Sequence, residues 1–276
     1  MLEQRKAIDK YATEHELPVT LTENQWKLLE KLVGLLRPFE VTAQQISRKD
    51  ASLANVIPVV TALSVTLQRH DNDTDVEIMK TVLVNELKQH FSSLKHERPY
   101  VVAMAIDPRY RLRLLQGGEW QVATAMLTAE VRRLKDIADG SSDAASAYGP
   151  RADESVPASI SCVDDVLDEL LDSSAPLSLA AEDKNTDVDS QVQHYLSLPN
   201  ISRHDSVTSW WKANAHHFPD VAAVARCFLA TPATSILSKQ LSGSAGHVYS
   251  GHRDGDLPEC AEQLLFIKHN MALVDY

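Results

Sequence analysis

The sequence predicts a mainly α-helical protein in two parts, and three observations lead to this fold class. Glycine contributes only 9 of the 276 residues, which favours helices over a turn-rich all-β design. Apolar residues recur at helical spacing both in the first half of the chain and near its end. Between these stretches the composition becomes small, polar and acidic. The chain therefore divides into regions 1–137, 138–188 and 189–276.

Region 1–137 is predicted to form four helices. Residues Thr22–Gln25 have the form of a capping box, and Trp26 begins the apolar face that follows it. We expect this helix to stop at Pro38, because proline lacks the N–H donor and clashes with the preceding turn. The apolar run 100–106 fits either a short strand or the start of a buried helix. Apolar spacing predicts the other three helices over about 54–68, from 74 to before 99, and about 120–134.

The middle region contains the whole net charge of the chain. Residues 138–190 include 13 acidic and two basic residues, which alone equals the formal net charge of −11, so the remainder is neutral. Such a composition cannot bury enough apolar surface to offset chain entropy, and 138–188 is predicted to be a disordered acidic linker. Inside it, residues 163–171 alternate acids with aliphatics. We favour a marginal helix on a solvated tether here, with a short linear interaction motif as the alternative.

Region 189–276 is again predicted to be helical. Three helices are expected over 190–198, 206–216 and 219–230, and a last one begins at Pro258, since proline suits the first helical position. The last helix contains four consecutive apolar residues at 264–267, which cover more than one face. We therefore expect one side of it to pack on its own domain and the other on a partner.

Cysteine usage and hydropathy narrow the cellular compartments in which the protein is expected. Cys162, Cys227 and Cys260 are far apart and give no disulfide framework, which indicates a reducing environment. The first residues have no apolar core of the signal-peptide type, and no stretch approaches the roughly 20 apolar residues of a membrane span. The cytosol or the nucleus is expected, with no membrane partner.

Several polar groups could be drawn as catalytic or metal sites, but a structural role explains each of them better. They are the pair His216–His217 at a solvated helix end, His252 with Asp254 and Asp256 in a polar turn, and the adjacent Ser238 and Lys239, which lack the spacing of a serine–lysine pair. The element Asp107-Pro-Arg109 is either functional or a turn with a buried ion pair, and we favour the ion pair. We expect no metal, no cofactor and no small-molecule substrate.

From Trp210 onward the chain contains an ordered series of motifs. They are Trp210-Trp211, Phe218-Pro219, Pro232-Ala-Thr-Ser235, Ser238, Ala245-Gly246 and Leu264-Leu-Phe-Ile-Lys-His-Asn270. This series resembles the C-terminal dimerisation region of hAT-family transposases and their domesticated descendants, BED zinc-finger proteins among them. Residues 36–47, 105–111 and 195–199 resemble further elements of the family. The resemblance therefore covers nearly the whole chain except the middle region.

The resemblance implies that region 189–276 is a dimerisation domain, whose partner is a second copy of the chain or a related hAT or BED protein. The bulky apolar residues expected to form the interface are Trp210, Trp211, Phe218, Phe228, Leu229, Leu264, Leu265 and Phe266. It also implies that 1–137 corresponds to the helical middle of the transposases, and that the chain forms part of an incomplete RNase H-like fold. Proteins of this kind are nuclear. DNA would be contacted only indirectly, or through an N-terminal BED finger that this sequence does not contain.

The resemblance further implies that the chain is not an enzyme. Family transposases hold two divalent metal ions between three carboxylates, and the third is the glutamate of a Ser-Glu-Arg motif. Lys239 occupies that position here, and a lysine cannot coordinate Mg²⁺. The other two carboxylates correspond to sequence upstream of Met1. Two alternatives stay open, namely a subunit or fragment of an active transposase that performs DNA strand transfer, and a truncated gene product.

Overall fold

A computed structural model describes residues 2–15, 21–69, 75–140, 162–172 and 187–236, together with 239, 263, 266 and 267. Within these residues the protein is mainly helical, as predicted, and no strand occurs. Ser52 and Pro232 form an isolated antiparallel bridge. No helix in this part of the chain is long and apolar enough to cross a membrane.

Ten α-helices follow one another in the described residues. They are α1 (Arg5–Glu14), α2 (Glu23–Ile46), α3 (Val56–Arg69), α4 (Glu77–Phe91), α5 (Arg98–Ile106), α6 (Glu119–Gly140), α7 (Cys162–Asp172), α8 (Val188–Ser197), α9 (Val207–Asn214) and α10 (Pro219–Leu229). Short 3₁₀ helices lie at Leu2–Gln4, Leu53–Asn55 and Leu94–His96.

The N-terminus of α2 has the predicted capping box. The Gln25 amide donates to Oγ1 of Thr22 at 3.4 Å, and the Thr22 amide donates to Oε1 of Gln25 at 2.8 Å. Two backbone donors at the start of the helix are thereby satisfied. Trp26 is buried directly after the cap, with the guanidinium of Arg5 stacked 5.3 Å from its ring centroid.

The prediction that Pro38 ends this helix is wrong, because α2 continues to Ile46. Proline in a helix interior costs about 3 kcal/mol through the lost hydrogen bond and ring crowding. Packing offsets this cost, since Leu35 and Phe39 on either side of Pro38 join a cluster with Leu63 and Leu67 of α3. Pro38 itself is buried.

Helix α5 lies at the centre of the main core. Its residues 101–106 are completely buried, and the helix packs against α6, α10 and the 3₁₀ turn at 53–55. A helix that is apolar on all sides is stable only when it is surrounded. The ambiguous apolar run at 100–106 is therefore a central helix and not a strand.

The structure differs from the predicted division into two helical parts on either side of a tether. Helices α8 and α10 both pack against α6, and α10 also packs against α5. Buried residues from regions 1–137 and 189–276 consequently belong to one hydrophobic cluster. In addition, α6 extends to Gly140 and α8 begins at Val188, inside the predicted linker.

The predicted linker also contains the ordered helix α7, which packs on α3 and α2. One side of α7 is buried, and it consists of Val163, Val166, Leu167 and Leu171. The prediction of a solvated tether is thus wrong for residues 162–172, because the acidic average of the region concealed a complete apolar face. Residues 141–161 and 173–186 lie outside the described part of the chain.

Candidate dimerisation region

The candidate region begins with α8, and an aromatic cluster around Tyr195 fixes it to the core. Tyr195 is completely buried. Its ring centroid lies 5.8 Å from Trp210, 5.3 Å from Trp211 and 5.8 Å from Phe218. Aromatic pairs at such distances stabilise by about 0.5–1.5 kcal/mol each beyond their burial. The WW pair and the Phe-Pro element are thereby brought together inside this chain.

Trp211 connects α9 to the central helix. Its indole Nε1 donates a hydrogen bond of 3.1 Å to the carbonyl of Ile106, the last residue of α5. Trp211 and Phe218 are both buried, whereas Trp210 is half-buried at the edge of the cluster. Two of the predicted interface residues therefore serve the core of the single chain.

The loop after α5 contains the buried ion pair that we favoured. Asp107 is completely buried, and its Oδ2 accepts from Nη2 of Arg109 at 2.7 Å while Oδ1 accepts from Nε at 3.0 Å. Burial acts to lower the pKa of Arg109, but Tyr110 and Asp107 outweigh burial and raise it. Burial raises the pKa of Tyr110, whose hydroxyl accepts a hydrogen bond of 3.1 Å from Asn55. The structural interpretation of this element is confirmed.

Arg111 joins this loop to the segment that enters the candidate region. Its Nη1 donates to the carbonyl of Leu198 at 2.7 Å, to the carbonyl of Pro199, and to Oδ1 of Asn200 at 3.2 Å. In return, Nδ2 of Asn200 donates to the carbonyl of Arg109 at 2.9 Å. Side chains and backbone carbonyls thus bind the two segments in both directions.

The guanidinium of Arg111 is also enclosed by aromatic rings. Its central carbon lies 5.0 Å from the ring centroid of Tyr195 and 5.6 Å from that of Trp210. Burial lowers the pKa of Arg111 and raises the pKa of Tyr195. Cation–π attraction from these two rings helps to stabilise the buried charge.

Arg111 and Asn200 organise this junction, although no sequence motif marks either of them for that role. The signal available in the sequence was that Arg111 lies between two large, mainly apolar residues, Tyr110 and Leu112. Both of these neighbours are buried in the structure. Charged residues are seldom fully buried unless they are paired, so an arginine here would normally be assigned to the surface.

The family element at 232–235 lies beside residues 51–53, which precede α3. The amide of Leu53 donates to the carbonyl of Thr231 at 2.9 Å, and the amide of Ala233 donates to the carbonyl of Ala51 at 3.3 Å. Lys239 is exposed, and its amide donates to the carbonyl of Ser235 at 3.0 Å. Ser238 and the Ala245-Gly246 element lie outside the described residues.

The remaining predicted interface residues have accessible surface or fall outside the described chain. Phe228 and Leu229 at the end of α10 are half-buried against the core. Phe266 is 71% exposed, and the neighbouring Ile267 is 55% exposed. Leu264 and Leu265 are not among the described residues. The accessible candidates therefore lie at the end of α10 and near residue 266.

The polar groups considered above do not form a metal site in the described part of the chain. His216 and His217 are exposed between α9 and α10, with ring centroids 3.8 Å apart. Among the described residues, no group of three or more histidine, cysteine, aspartate or glutamate side chains could hold a metal ion. The triad His252, Asp254 and Asp256 lies outside them.

Comparison with known proteins assigns the same part of the chain to a dimerisation region. Residues 191–271 match the family model of the hAT family C-terminal dimerisation region. Over 99% of its length the chain is 24% identical to human zinc finger BED domain-containing protein 4, of which it covers 23%. It is 25% identical over 96% of its length to zinc finger BED domain-containing protein 6 of Mus musculus, of which it covers 30%. The chain thus spans less than a third of these relatives. Residues 191–271 therefore match the hAT dimerisation region, and the chain is homologous over most of its length to zinc finger BED domain-containing proteins.

Proposed function

We propose that this chain is the protein dimerisation module of a domesticated, catalytically inactive hAT transposase relative. The observation that supports the proposal is the match of residues 191–271 to the family's dimerisation region. The partner is a second copy of the chain or a related hAT or BED protein. The module acts in DNA-bound transcriptional complexes in the nucleus, and its contact with DNA is indirect or made through an N-terminal BED finger outside residues 1–276.

The accessible apolar residues near the end of the chain are the best candidates for partner contact. Phe266 and Ile267 follow one another in a helical segment and remain more than half exposed. Large apolar anchors at the centre of an interface contribute about 2 kcal/mol or more each. In this proposal Trp211 and Phe218 act indirectly, because they hold α9 and α10 on the core and so position the surface that meets the partner.

Self-association of the full chain tests the proposal. Sedimentation equilibrium is expected to report a dimer at micromolar concentration. The substitution Phe266→Ala should weaken the dimer about tenfold or more, since losing one central anchor of about 2 kcal/mol exceeds a tenfold change in Kd.

The matched control for this experiment is Ile78→Ala on α4. Ile78 is 82% exposed but lies outside the dimerisation region, so its loss should leave the dimer unchanged. A wild-type chain that stays monomeric at high concentration, and that also captures no related BED protein in a pull-down, would contradict the proposal.

The non-catalytic part of the proposal rests on Lys239. A cationic side chain at the family's carboxylate position repels the metal ion that strand cleavage requires. The purified chain should therefore show no Mg²⁺- or Mn²⁺-dependent nicking of supercoiled DNA, and Lys239→Glu alone should not create it. Reproducible metal-dependent nicking that is lost on Lys239→Ala would favour the active transposase subunit instead.

A further inference from the structure

Helix α7 occupies a groove formed by α2 and α3, and residues 141–161 and 173–186 separate it from its neighbours in sequence. Its apolar side follows the spacing i, i+3, i+4 and i+8. The residues at these positions are Val163, Val166, Leu167 and Leu171, and all four are buried. This is the pattern by which an amphipathic helix binds an apolar groove.

Residues in and beside the groove bind the acidic residues at the start of α7. Arg203 forms ion pairs with Asp164 and, at 2.8 Å, with Asp168. The side-chain amide of Gln45 donates to Oδ1 of Asp164 at 2.7 Å. Arg203 is only 11% exposed and Asp164 only 13%, so this pair is less screened by solvent than an ordinary surface ion pair.

Two further arginines complete the recognition toward the end of α7. Arg69 pairs with both carboxylate oxygens of Glu169, one of them at 3.0 Å. Nη1 of Arg113 donates to the carbonyl of Leu171 at 3.4 Å, where the last carbonyls of a helix lack internal partners. Side chains from separate elements thus face a helix that contains no basic residue.

An open pocket of about 350 Å³ remains where the start of α7 meets α2 and α3. Its lining is mostly apolar, and it consists of Gly34, Arg37, Pro38, Thr66, Arg69, Cys162 and Val166. Cys162 and Val166 form the side of this space that belongs to α7, so a larger side chain at position 166 would border open volume.

We propose that the groove between α2 and α3 is a docking site for an acidic amphipathic helix of a partner protein, and that α7 occupies it as an internal ligand. The partner helix carries carboxylates where α7 has Asp164 and Asp168, and a bulkier apolar residue where α7 has Val166. Because α7 belongs to the same chain, its binding is intramolecular, so a partner must bind more tightly than α7 to replace it. This proposal does not depend on dimerisation.

Binding of a labelled peptide with the sequence of residues 162–172 tests the proposal. The full chain with Leu167→Asp and Leu171→Asp has no competent internal ligand, so it should bind the peptide at least tenfold more tightly than the wild-type chain does. A Val166→Phe peptide should bind tighter than the parent peptide. An Asp164→Lys peptide should bind at least tenfold more weakly. The matched control is an Asp165→Lys peptide, which should bind almost as well as the parent because Asp165 is exposed.

A second experiment does not require the doubly substituted chain to fold. Recognition sites for a specific protease are inserted within 141–161 and 173–186, and the folded full chain is cut at both. An excess of the Val166→Phe peptide should then displace the α7 fragment while the rest of the chain keeps its circular dichroism spectrum. An α7 fragment that stays bound against the excess peptide, or a chain that loses its fold when α7 leaves, would overturn the proposal.

Discussion

Arg111 links the loop after the central helix to the segment that enters the dimerisation region. It is completely buried, and its backbone adopts φ +47°, a conformation that residues other than glycine rarely adopt. Such a conformation costs on the order of 1–3 kcal/mol and persists only where the surroundings fix it. The carbonyls of Leu198 and Pro199 and the ring of Tyr195 supply that constraint.

We predict that Arg111→Lys destabilises the chain by about 2–4 kcal/mol. Lysine keeps the charge, but it lacks the planar fork that binds several acceptors and stacks on aromatic rings. Acceptors left buried without a donor cost about 1–3 kcal/mol each. Urea unfolding followed by tryptophan fluorescence measures the change.

The control for this substitution is Arg48→Lys. Arg48 is exposed and pairs only with nearby Asp50 among the described contacts. Its substitution should change the free energy of unfolding by less than about 0.5 kcal/mol. Equal effects of the two substitutions would show that Arg111 does not organise this junction.

At the scale of single elements, local chemistry predicted where helices begin better than where they end. The capping box at Thr22 is a local signal, because it depends on residues three positions apart. Continuation through Pro38 depends on contacts with α3, which no local pattern contains. A marginal helix was expected at α7, but its burial was missed for a related reason. Its apolar residues have helical spacing, but their burial depends on a groove built from distant parts of the chain.

At the scale of the whole molecule, one core unites residues from both sides of the acidic region. Val102 and Leu127 belong to the same buried cluster as Val192 and Val221. Ion pairs also connect the two sides, since Arg132 of α6 pairs with Asp189 of α8 and Lys135 of α6 pairs with Asp220 of α10. The dimerisation region is therefore not an appendage of the helical part but depends on it for burial.

We predict that residues 187–276 do not fold alone. Isolated, this segment would expose the faces that α8 and α10 bury against α5 and α6, and short helices are marginal without tertiary packing. Thermal unfolding followed by circular dichroism should show one cooperative transition for the full chain and none for 187–276. Mixing 187–276 with 1–186 should restore the transition.

Cooperative unfolding of 187–276 alone would show that the two regions fold independently. If 187–276 unfolds cooperatively at the Tm of the intact chain, the shared core contributes little, and the original division into independent regions holds. The single-chain segment 1–186 serves as the matched comparison, since it retains α5 and α6 but lacks their contacts with α8 and α10.

The sequence by itself determined the helical class, the starts of most helices and the resemblance of the last region to a dimerisation domain, and it favoured an ion pair within Asp107-Pro-Arg109. These features depend on short-range spacing, capping chemistry and motif order, all of which are local. Only the tertiary structure decided that α7 is packed, that Trp211 and Phe218 face inward, and that Arg111 is buried. Burial is set by which distant elements meet, and a linear pattern does not specify those meetings.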